Sequence, residues 1–225
     1  MKFFLMLLTI WLTLFLVPLD GWSSSTVSCH CFQDRRFDPA RPDAVDPYLL
    51  ANAQNSLLAA VFNLSKKTIV KEKMGGADND QLWISNAFSQ TTGMPADQAV
   101  KARNRAGSWS KLFTRMEREG LTSGDEARLF RERIDDPKLA AAIVDEVLHQ
   151  KLLIEKEAVA EMRSRGAGNR EAILATVLGR IGGVPPAELL IGVREGRFTW
   201  GELARRFDIE PTRIEERVKG LVQYP

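Results

Sequence analysis

Across 225 residues, 31 lysines and arginines oppose 29 aspartates and glutamates, for a formal net charge of +2. So even a balance supplies no long-range pull toward nucleic acid or an anionic lipid surface, which sets aside functions that depend on one. The two cysteines, Cys29 and Cys31, sit one residue apart near the N-terminus, so no disulfide staples the body and its stability must come from packing.

The chain opens with Lys2, an uncharged run "FFLMLLTIWLTLFLVPL" from Phe3 to Leu19, a break at Asp20-Gly21, and the small residues Ser23 to Ser25. A basic start, an apolar centre and a small-residue exit form the pattern of a secretory signal peptide over residues 1–25. Cleavage after Ser25 leaves Thr26 first. The run nearly reaches bilayer-spanning length, so an uncleaved anchor is the alternative. Both readings place the remaining chain outside the cytoplasm, in a bacterial periplasm or membrane-associated envelope.

Residues 26–45 hold the one chemically pointed cluster, Cys29-His30-Cys31, followed by the charged, proline-rich "QDRRFDPARPDAVDP" at 33–47. Two thiolates and an imidazole suit Cu(I) or Zn²⁺. A disulfide across one residue would be strained and easily reduced, giving a redox pair. Cys29 after Ser28 is also a candidate for lipidation, although Thr26 stands where a lipobox prefers leucine. An oxidised structural knot is the plain reading. Haem attachment is excluded, because it needs two residues between the cysteines and a histidine after the second. The proline-rich stretch reads as a linker, or as a strap wrapped over the body.

The body repeats itself. Shifted by about 90 residues, the two halves run in register for about sixty residues. Pro47 meets Pro137, Gly76 meets Gly166, Gly93 meets Gly183, and Pro95 meets Pro185; one inserted residue later Trp109 meets Trp200. Matched glycines and prolines weigh most, because they fix backbone geometry and not merely hydrophobicity. Each copy predicts a string of short helices. Asp46 and Asp136 are expected caps for helices with proline at the first position. Second helices stop at Gly76 and Gly166, third helices start at Asn79 and Asn169 and end at Gly93 and Gly183, and fourth helices open at Pro95 and Pro185. Ser108 and Thr199 cap the fifth, and sixth helices are expected over 125–134 and 211–222. No stretch alternates as a strand does. The expected fold is all-α: two tandem, internally duplicated multi-helix units at 46–135 and 136–225.

The opening "CHCFQDRRFDPARP…DPYLLANAQNSLLAAVF", with the glycine, "PxxxLLxxxxxG" and "TWGELA" pattern of the second copy, resembles a group of uncharacterised exported all-helical proteins of Gram-negative bacteria. The resemblance covers nearly the whole chain after the leader. Its motifs are structural, and it implies fold and export but no activity.

Other candidates have plain readings. "TWGELARRFDIEPTRIEERVKGL" at 199–221 resembles a helix-turn-helix, with Ala204, Ile209 and Ile214 at positions to be buried. Its second helix carries Glu210, Glu215 and Glu216, which would repel phosphates. His149 is expected as a solvated helix residue near Asp145. Neither G-x-S-x-G nor H-E-x-x-H occurs. Ser65 of the Asn63-Leu64-Ser65 sequon is expected as a helix cap, and Gly166 and Gly168 read as helix caps and not as a phosphate loop. The resulting expectation is a non-enzymatic, cofactor-free interaction module whose partner is another envelope protein, with membrane contact through the N-terminus. A thiol-redox or metal protein acting through Cys29, His30 and Cys31 is the alternative, and a membrane-tethered DNA-binding protein the second.

Overall fold

The computed structural model describes residues 32–121 and 127–222, and among these the fold is all-α, with twelve α-helices and no strand. In the first half run α1 (Asp46–Val61), α2 (Lys66–Met74), α3 (Asn79–Thr92), α4 (Ala96–Ala106), α5 (Trp109–Arg118) and the single turn α6 (Arg128–Arg131). The second half holds α7 (Asp136–Leu152), α8 (Lys156–Ser164), α9 (Asn169–Gly182), α10 (Pro186–Arg194), α11 (Trp200–Arg206) and α12 (Ile214–Leu221), the last preceded by a 3-10 turn, Pro211–Arg213.

Most helix boundaries follow from local chemistry. Ser65 Oγ accepts from Thr68 N at 3.0 Å, and Ser108 Oγ from Lys111 N at 3.2 Å. Thr199 and Glu202 form a reciprocal capping box at the start of α11, satisfying backbone donors that the first turn leaves without partners. At the other ends, Gly93 and Gly183 adopt left-handed conformations, φ 75° and 65°. Asn63 and Leu153 share the same unusual backbone, φ 51° and 52°.

The two halves interlock. α1 packs against α9, and α3 packs against α7, so the first helix of each half lies on the third helix of the other. One continuous apolar core joins both halves. α1 is central: every residue from Ala51 to Ala60 is buried, including Asn52, Gln54, Asn55 and Ser56. A helix apolar or small on all faces must sit inside the protein. α9 is its counterpart, buried continuously from Ala172 to Gly179.

Several expectations are corrected. Asp46 does not cap its own helix; the cap position is Val45, and the Asp46 carboxylate instead accepts from Trp200 N and Gly201 N of α11. α7 is capped by Asp135, which accepts from Lys138 N, while Asp136 pairs with Arg103 at 2.8 Å. Of the helix expected over 125–134, residues 125 and 126 lie outside the described residues, and from 127 on only Arg128–Arg131 is α-helical, because the chain turns extended at Glu132 to start α7. The 33–47 stretch is not a plain linker: Val45 is fully buried, Arg205 stacks over Phe37 at 5.1 Å, and the Pro42 carbonyl accepts from Thr199 Oγ1.

Candidate interaction groove

The two helix pairs are covered differently. Over α1 and α9 lies α12, with Ile214 and Val218 buried. Glu215 on α12 reaches Lys66 Nζ at 2.8 Å, and Asn52 Nδ2 donates to the carbonyl of Pro211 at 3.3 Å. Lys66 is the first residue of α2. Apolar anchors plus one half-buried ion pair therefore close this face.

Over α3 and α7, in the place α12 takes on the other face, the described residues put α6, four residues long. Its Phe130 packs edge-on against Phe88, with ring centroids 5.1 Å apart, and stacks on Phe113 at 6.0 Å. Beyond this single turn no described residue covers the face, which leaves a groove of about 700 Å³ among the described residues. Phe62, Ala87, Leu129, Ile143 and Val147 give it an apolar floor. Val147 is half-buried, whereas Leu57, ninety residues earlier on α1, is fully buried.

The rim is mostly basic. Arg128, Lys151 and Lys156 line it, against one carboxylate, Glu146, which accepts from Gln150 Nε2. Arg131 is turned to Glu117 at 2.9 Å. Lys156 opens α8 as Lys66 opens α2; flanked by Glu155 and Glu157 in sequence, it forms no ion pair among the described residues. The groove thus offers apolar contact area and a localised positive field.

Two smaller cavities are already committed. One of about 270 Å³ lies beside Tyr48, Asn52, Asn55 and Lys66, where Lys66 and Lys73 donate to the two asparagine side-chain oxygens. The other, about 130 Å³, lies at the Arg103–Asp136 ion pair beside Trp109.

Cys29, His30 and Cys31 lie outside the described residues. The positions paired in the expected repeat are structural. Pro47 and Pro137 stand in the first turns of α1 and α7, Pro95 and Pro185 at the starts of α4 and α10, and Trp109 and Trp200 as buried first residues of α5 and α11. Gly76 and Gly166 take left-handed conformations just after α2 and α8. His149 is not simply solvated: its Nδ1 is 2.8 Å from the carbonyl of Ile154, tying down the end of α7. Ala204, Ile209 and Ile214 are buried as the helix-turn-helix reading requires, but α12 lies against α1 with Glu215 engaged by Lys66.

Among the described residues, no three His, Cys, Asp or Glu side chains gather to hold a metal. No single described helix is long and apolar enough to cross a membrane; α9 and α10 reach that composition only together, bent by 119°. The groove itself was missed by sequence reasoning. Its signal is the contrast between Glu146 and Gln150, one residue before and three after Val147, and Ser56 and Ala60, at the same offsets from Leu57. Comparison with known protein families, curated proteins and solved structures finds no match.

Proposed function

We propose that this chain is an exported, non-enzymatic helical envelope protein that works as an interaction module through its α3–α7 groove. The single observation that carries the reading is that groove: an apolar floor and basic rim that no described residue covers, where the corresponding face, α1–α9, is covered by α12. Export rests on the leader pattern at 1–25, and the segment at 26–45 links that leader to the body.

The two units, 46–135 and 136–225, are read as an ancient duplication. Supporting this, the first four helices of each half begin at Asp46 and Asp136, Lys66 and Lys156, Asn79 and Asn169, and Ala96 and Pro186. The left-handed residues Asn63 and Leu153 keep the same spacing. A shared strained backbone at a non-glycine position is harder to reach by chance than a shared helix.

The partner is another envelope protein. A photo-crosslinking residue at Gln150, on the groove rim, is expected to capture one discrete protein in the native host. The same residue at Lys101, outside the groove, is expected to capture none. The captured protein, once purified, should bind the chain directly; equal capture from both positions would overturn the reading. The thiol-redox or metal alternative rests on the spacing of Cys29, His30 and Cys31, and mass spectrometry of the mature protein decides it through the N-terminus, any acyl mass, the thiol state and any bound metal.

A further inference from the structure

We propose that the α3–α7 groove seats an acidic amphipathic α-helix of a partner protein, with a carboxylate of that helix on Lys156. The inference deepens the interaction reading and rests on it, including the duplication that makes the two faces equivalent. The filled face supplies the pattern. α12 presents Ile214, Val218 and Leu221 along one side, and Glu215, next to the first of these, binds Lys66. Residues four and seven apart share one helical face, which is how helices anchor in apolar grooves.

Charge selects the occupant. Lys156 holds the place of Lys66, and Arg128 adds a second exposed cation on the same rim. A basic helix would meet these side chains without compensation, whereas glutamates on an incoming helix would complete the arrangement that Lys66 and Glu215 already show. Such rim charges set selectivity and encounter rate more than affinity. The half-exposed Glu146 and exposed Gln150 keep the unoccupied groove compatible with water, as a reversible interface requires and an obligate one does not.

The test uses the full chain and three labelled, lactam-bridged peptides read by fluorescence anisotropy. One carries leucine at i, i+4 and i+7 with flanking glutamates. The second replaces those glutamates with lysine, and the third keeps the acidic composition but moves the leucines off one face. The first is expected to bind saturably, and the other two about tenfold more weakly or worse. Lys156→Glu, an exposed substitution that leaves helical circular dichroism unchanged, should weaken the acidic amphipathic probe about tenfold and improve the lysine probe. Equal binding of all three probes, or indifference to Lys156→Glu, overturns the proposal. So does a concentration-dependent doubling of mass by light scattering that blocks the probe, which would assign the groove to a second copy. Probe binding that needs removal of residues 1–25 would assign it to the chain's own leader, with the same consequence. Capture of a partner at Gln150 without probe binding removes this proposal and leaves the interaction reading intact.

Discussion

The Asp46 carboxylate, in the first turn of α1, accepts the backbone N–H of Gly201 at 2.7 Å and that of Trp200 at 3.1 Å. An acidic residue of the first half thereby caps a helix of the second, where it satisfies donors left free by the first turn and meets the positive end of the helix dipole.

Burial pushes this carboxyl up to about 6 from its ordinary 3.8, against the two N–H groups that pull it down. Between those limits the folded chain binds a proton that the unfolded chain has released. This group's contribution to stability therefore falls as pH rises from about 4 to about 6 and is level above. Asp46→Asn keeps one acceptor and removes the titration. Denaturant unfolding across this range should show the wild type gaining on the variant as pH falls from 6 to 4. A difference that stays constant with pH would contradict the assignment.

Gly201 is required by close approach. A Cβ there would lie 2.4 Å from the Pro42 carbonyl oxygen and 2.6 Å from Val45 Cγ1. Backbone cannot yield as a flexible side-chain tip can, so Gly201→Ala should cost about 1–3 kcal/mol. Chemical denaturation measures it, and an unchanged midpoint would show that residues 32–45 do not lie against α11 in solution.

Leu153 ends α7 in a left-handed conformation while 55 % exposed. That backbone disfavours an ordinary side chain, and Asn63 occupies the matching turn of the first half. Leu153→Asn should raise stability by about 0.5–1 kcal/mol, read as a higher unfolding midpoint.

Thr176, fully buried on α9, has a hydroxyl with no hydrogen-bond partner among the described residues. Valine has nearly the same shape and no polar atom to desolvate. Thr176→Val is expected to be neutral or to stabilise by about 1 kcal/mol. A loss of that size would mean the hydroxyl finds a partner, such as a buried water.

Legibility in the sequence tracks how local the cause is. Ser65, Ser108 and Thr199 each act within three residues, and the caps read from sequence are the caps found. The role of Asp46 was hidden because its donor lies 155 residues away, while Pro47 beside it suggested a local cap. A sixth helix over 125–134 is expected as the counterpart of the one over 211–222. What ends α6 at Arg131 is the need to begin α7 at Asp136, a constraint of topology and not of periodicity. The groove was least legible, since it results from the covering helix that α6 fails to become.

The most direct test of the central claim, that the groove and not the cysteine cluster carries the function, is the yield of the Gln150 cross-link in two variant backgrounds. The account predicts that Cys29→Ser with Cys31→Ser retains the cross-link, and that Val147→Arg, placing a charge on the groove floor, abolishes it while helical circular dichroism is preserved. Loss in the cysteine variant with retention in Val147→Arg would contradict the account.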